Sequence, residues 1–181
     1  MRRLFGSLLL CLLVAQTPVS AEPVKAGVHD LKSAYIFNFI RFTDWPEQGL
    51  VAQRPAIRLH ILNSSEIHAV MQRIAEKSVA KKIGLQVDAC TSDQCVQNSS
   101  VLFSGKSDER QYQRQLKLIA DHPVLTISDI PGFASQGGMI EIKYHNKKLT
   151  FVVNLQAVKR AGLYISAQLL QLGEVVGRDN E

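Results

Sequence analysis

The chain predicts an α/β fold, a mainly parallel sheet layered between helices with a C-terminal β-hairpin and terminal helices, and three observations predict it. Short runs with strand periodicity alternate with amphipathic helical stretches from Ile57 to Ile127, the rhythm of parallel strands joined by crossover helices. Two strand-like runs then follow with only His145-Asn146-Lys147 between them, a length that fits a β-hairpin. Apolar residues at helical spacing close the chain.

Taken in order, a first helix is expected from about Val28 to Phe42, stopped by Thr43-Asp44-Trp45-Pro46, because proline cannot continue a helix. Ile57, Leu59 and Ile61 alternate with Arg58 and His60 as a strand. Asn63 to Glu66 reads as an N-cap with its capping-box acid, opening a helix with Ile67, Val70, Met71 and Ile74 on one face. Ile83, Leu85 and Val87 alternate again, and Val101-Leu102-Phe103 is a continuous apolar run, as in a strand covered on both faces. Asp108 to Asp121 is helical, with Tyr112, Leu116 and Ile119 aligned, and Val124 to Ile127 is a buried strand. After the hairpin of Met139–Tyr144 and Lys148–Val153, a helix runs from Asn154 to Gly162. Ile165, Leu169, Leu172 and Val176 form a last helical stripe, and the tail 178–181 is expected to fray.

Residues 1–21 read as an address label. Arg2 and Arg3 form a positive start, Leu4 to Ala15 a short apolar core, and Val19-Ser20-Ala21 a cleavage site, with the cut after Ala21. The stretch is too short to span a hydrocarbon layer of roughly 30 Å. Cys11 follows Leu10, whereas a lipidated cysteine needs a small residue before it, so lipidation is the lesser reading. Export across a bacterial-type inner membrane is expected, and residues 22–181 are expected to form one domain, since no repeat or linker divides them.

Removing the leader takes two arginines from a formal charge of +5, which leaves a mild positive balance. Lysines and arginines are scattered among acids and not gathered on a stripe, so no nucleic-acid partner is expected. Cys90 and Cys95 remain, spaced C-x4-C in a polar stretch. In an oxidising compartment an even pair favours a disulfide over free thiols, and a local one, stabilising by roughly 2 kcal/mol.

The search for bond-making chemistry finds little. There is no G-x-G-x-x-G and no G-x-x-x-x-G-K-[ST] to cradle phosphate. Ser78-Val79-Ala80-Lys81 matches S-x-x-K without its S-D-N and K-T-G partners, and no G-x-S-x-G elbow occurs. The five histidines show no paired metal-ligand spacing, so neither a metal nor a cofactor is expected and the chain is not read as an enzyme.

Aromatic density stands out. Tyr35, Phe37, Phe39, Phe42 and Trp45 crowd one short stretch of a chain with only 7% aromatic residues, so the first helix is apolar nearly all round. It is either a core helix or one whose second side meets a partner, with Asn38 and Arg41 supplying orientation. On the strand Lys148–Val153, Val152 lies on the side opposite Leu149, Phe151 and Val153, so it is either covered or offered for binding. Val158 and Tyr164 raise the same question.

These segments carry a resemblance. Lys32-Ser33-Ala34-Tyr35-Ile36-Phe37-Asn38-Phe39, continuing to Trp45-Pro46, resembles the opening signature of the YfiR family of periplasmic proteins. Gly137 to Ile140, Leu149 to Leu155, and Ala161 to Leu170 resemble its closing signature, so the likeness covers about residues 30–177. Two positions depart from it, Ala167 where serine is common and Gly173 where alanine is.

The resemblance implies an α/β domain that dimerises and binds the periplasmic sensor domain of an inner-membrane diguanylate cyclase, holding that enzyme inactive. Release in such systems involves an outer-membrane lipoprotein, or redox stress on cysteines. The chain is thus expected to be an inhibitory binding protein that lowers cyclic di-GMP and biofilm formation, with Phe39, Arg41, Val152, Val158 and Tyr164 among its contacts. The alternative is a periplasmic domain that binds a small molecule at the carboxyl edge of the parallel strands.

Overall fold

A computed structural model describes residues 27–45, 56–105, 109–120 and 122–177. The expected leader and its cleavage site, Cys11, Pro46, Asp108, Asp121 and the tail 178–181 lie outside the described residues.

Helix α1 spans Val28–Arg41, opened by Asp30, whose carboxylate accepts from the Gly27 amide at 3.0 Å. Strands β1 (Thr43–Asp44) and β2 (Arg58–Leu62) precede α2 (Ser65–Ala75) and α3 (Ser78–Lys82). Next come β3 (Gln86–Ala89), α4 (Asp93–Gln97), β4 (Val101–Ser104), α5 (Glu109–Leu118) and β5 (Leu125–Ser128). The chain ends through β6 (Ile140–His145), β7 (Lys148–Asn154), α6 (Leu155–Arg160), β8 (Tyr164–Ile165), α7 (Ala167–Leu170) and β9 (Glu174–Val176).

Seven strands form one sheet in the order β3-β2-β4-β5-β6-β7-β9, and β1 pairs β8 antiparallel beside it. Neighbours from β3 to β6 are parallel, β6 and β7 form the antiparallel hairpin, and β9 runs parallel to β7. The expected α/β class with a mainly parallel sheet and a C-terminal hairpin therefore holds.

Side-chain alternation divides this sheet into two unlike faces. Leu59, Ile61, Val101, Phe103, Leu125, Ile127, Ile140, Ile142, Phe151 and Val153 face Ile36, Phe39 and Ile40 of α1 and Ile67 and Met71 of α2, in one large apolar core. The intervening residues turn to the opposite face, where a smaller cluster holds Leu62, Cys90, Val96, Leu102, Ile119 and Val124.

That second face also buries His60, Ser104, Thr126, Ser128 and Glu141, and each has a partner, as buried polar groups require. His60 Nδ1 lies 2.8 Å from Ser99 Oγ, Ser104 Oγ donates to Gln115 Oε1 at 2.8 Å, and Thr126 Oγ1 accepts from the Met139 amide at 3.0 Å. The Glu141 carboxylate accepts the amides of Gly132 and Ala134, both at 3.1 Å, and so ties the turn before β6 to the sheet.

Several local expectations shift. The cap of α2 is Ser64, whose hydroxyl accepts from the Ile67 amide, while Asn63 takes φ 54° to make the turn. Ile83 caps α3 and Gly84 at φ 64° leads into β3, so Ile83 is not a strand residue. The hairpin turn is the two residues Asn146 and Lys147, with φ of 48° and 61°, because His145 pairs Lys148. His60, a polar member of the β2 alternation, is buried on the second face, where its ring meets Ser99 just after α4. The last stripe is not one helix. It breaks into α7 and β9, leaving Leu172 73% exposed, because β7 offers β9 a free edge.

Candidate functional site

Two segments far apart in sequence meet at the end of α1. Thr43 pairs Ile165 and Asp44 pairs Tyr164, and the Ser166 amide donates to the Phe42 carbonyl at 2.9 Å. The joint is held from inside as well, since Thr43 Oγ1 donates to the Phe39 carbonyl at 2.7 Å and Trp45 Nε1 to the Pro123 carbonyl at 3.1 Å. A two-residue strand alternates once, so Ile165 turns into the core and Tyr164 turns out, 70% exposed.

The surface of this joint is amphipathic. The Arg41 guanidinium sits 6.0 Å from the ring centroids of both Phe37 and Phe42, at the outer limit of cation–π contact. Phe37 and Phe42 are half-buried, and Arg41, Asp44 and Tyr164 are exposed. Phe, Tyr and Arg side chains are the types enriched at protein interfaces.

The expected contact residues thus separate. Arg41 and Tyr164 come together on this joint. Phe39, Val152 and Val158 do not offer surface, and that expectation is corrected: they are 0%, 4% and 1% exposed. Phe39 packs edge-on against Phe151 with centroids 4.9 Å apart, the cation-bearing side of α1 being the one left outside. Val152 stands opposite Glu141 on the second face, and Val158 of α6 lies in the large core. What the sequence reading missed is Asp44, placed beside Tyr164 only by the β1–β8 pairing; the short apolar alternation at Tyr164-Ile165 was its one available signal.

Cys90 and Cys95 are joined as a disulfide, with Cα atoms 5.8 Å apart. The stretch between them is not all loop, because α4 begins at Asp93, capped by Ser92 Oγ accepting from the Cys95 amide. The clip therefore fixes the start of a helix that packs into the second-face cluster.

At the carboxyl edge of the parallel strands, the order reverses between β2 and β4, the usual ligand crevice of such sheets. Here the two loops touch. The Gly105 amide donates to the Leu62 carbonyl at 2.9 Å, and a Cβ on Gly105 would stand 2.9 Å from the Asn63 carbonyl oxygen and from Ser64 Cβ. Among the described residues no group of three or more His, Cys, Asp or Glu is placed to hold a metal ion, and no helix is long and apolar enough to cross a membrane.

The family model described as YfiR/HmsC-like matches residues 29–174. Among solved structures, the ABC domain in complex with L-Trp from Streptococcus pneumonia is similar in fold, with a TM-score of 0.50 at 12% identity. The match covers 72% of this chain and 58% of that one, and at this identity it speaks for the fold alone.

Proposed function

This chain belongs to the YfiR/HmsC-like family, a family of periplasmic regulators and not of catalysts, and we propose from that membership that it represses an inner-membrane diguanylate cyclase by binding its periplasmic sensor domain. Residues 1–21 then direct export, and residues 22–181 act as one domain that lowers cyclic di-GMP and biofilm formation. An outer-membrane lipoprotein that sequesters it, and a homodimer, complete the reading.

The observation that supports this most is the β1–β8 joint, where Arg41 and Tyr164 lie exposed on a rigidly held corner. Tyrosine and arginine are the residues that carry binding energy at such surfaces, through large contact area and directional charge. Phe39 and Val158 support that corner from the core, through the Thr43 hydroxyl on the Phe39 carbonyl and the Leu163 amide on the Val158 carbonyl, whereas Val152 lies on the other face.

Deleting the gene should raise cellular cyclic di-GMP, and restoring it with Tyr164→Ala or Arg41→Glu should fail to bring the level down while the purified variants keep their melting temperature. Unchanged cyclic di-GMP on deletion refutes the regulator, and full repression by both variants refutes the corner.

A further inference from the structure

The second face of the sheet carries a feature with no part in that reading. At the amino ends of β5 and β6, between the last turn of α5 and the length of α6, lies a slot of about 240 Å³. Its floor is apolar, made by Leu116, Ile119, Val124, Met139 and Ala157. Lys117 of α5 and Arg160 of α6 stand at its mouth, both exposed and neither in an ion pair among the described residues. No carboxylate is among the described residues that line it.

We infer that this slot binds a small carboxylic acid with an apolar body. The volume lies below the roughly 300–1,000 Å³ of sites for drug-sized ligands, so the occupant is compact. Of the polar residues that also line the slot, Thr126 Oγ1 accepts from the Met139 amide and Gln113 Nε2 donates to the Gln136 carbonyl, so these groups have partners within the protein when apolar atoms enter.

Charge sets the other end of the ligand. Lys117 and Arg160 each sit in the last turn of a helix, where cations are favoured by the helix dipole alone. A helix end supplies only roughly half a negative charge, against a full positive charge on each side chain, so about one net positive charge is left at the mouth. A single carboxylate matches that surplus, and the arginine fork suits it geometrically.

The slot also has a wall that a single substitution would close. Ala161, half-buried, lines it at the end of α6, where its φ of −79° is open to any residue. A leucine there would occupy the space meant for the ligand.

The test is titration of the purified protein with 3-phenylpropanoate, followed by amide shifts of Leu116 and Ala157, beside its neutral amide and hexadecanoate. The acid should bind saturably and about tenfold more tightly than the amide. Lys117→Gln with Arg160→Gln should erase that advantage, and Ala161→Leu should abolish binding of both.

Absence of saturable shifts, equal affinity for acid and amide, or unchanged binding in Ala161→Leu overturns the inference. So does tighter binding of hexadecanoate, which would mean that a lipid chain lies across the face and not a compact acid within it. Should Ala161→Leu not fold, the paired surface variant decides by itself. The outcome is independent of cyclic di-GMP, so the regulator and this site fail or stand separately.

Discussion

The two faces of the sheet obey different rules. Under α1 and α2 the sheet presents aliphatic and aromatic side chains in unbroken alternation, and rings pack on rings: Tyr35, Phe39 and Phe151 meet edge-on with centroids 4.9–6.1 Å apart. Under α4 and α5 the strand residues on that side mix polar groups, His60, Ser104, Thr126, Ser128 and Glu141, with Leu62 and Leu102, and hydrogen bonds join much of the layer. The first face derives its stability from removing apolar area from water, which is strong and tolerant of direction. The second depends on partners placed within bonding distance, which is weaker and specific.

Phe39→Ala is the sharpest way to break the contrast. It removes a wholly enclosed ring from the apolar face and should cost about 3–5 kcal/mol, read from denaturant unfolding. A loss below about 1 kcal/mol would mean that the face is not close-packed.

On the polar face the largest effect belongs to Glu141→Ala. Two amides would lose their acceptor, each leaving an unsatisfied donor, for about 3 kcal/mol in total, with hydrogen exchange faster at Gly132 and Ala134. Unchanged exchange there would show that the turn is held by something else.

Gly173→Ala probes the first face from its rim. A Cβ at that position would stand 2.3 Å from the Phe151 ring, so alanine should destabilise by about 2 kcal/mol through overpacking. Combined with Phe151→Leu the two costs should add to less than their sum, because the smaller side chain vacates the clash.

The smallest effect is Tyr112→Phe, about 1 kcal/mol for the lost hydrogen bond to Gln136. Burial first, and then the Glu109 and Glu141 carboxylates, hold the Tyr112 hydroxyl above its ordinary value of 10.0. The folded state therefore keeps this proton more tightly than the unfolded one. Its contribution is complete below pH of about 10 and is lost as pH rises through the raised value. Wild type should lose stability in that alkaline range more steeply than Tyr112→Phe, and identical profiles would show that the hydroxyl is not the group titrating.

Legibility followed the same division. Period-two alternation marked β2, continuous apolar runs marked β4 and β5, and two strand-like runs around a short turn marked β6 and β7, while the 3.6-residue pattern marked α1, α2 and α5. Short elements were missed: α3 and α4 have five residues each, too few for a period to show, and β9 looked helical because its apolar residues happened to continue the spacing of α7. Of the candidate contacts, Arg41 and Tyr164 were found on the surface, while Phe39, Val152 and Val158 were not. Hydrophobicity marks what can be buried, and position among neighbours decides what is.

The amino-acid sequence alone determined the α/β alternation, the paired cysteines and the family, because each is written in local periodicity or in the identity of a few residues. The tertiary structure alone decided that Asp44 stands beside Tyr164, that Glu141 anchors a turn, and that a slot opens between α5 and α6. The physical reason is that these depend on which distant segments become neighbours, and no local pattern records the far side of a contact.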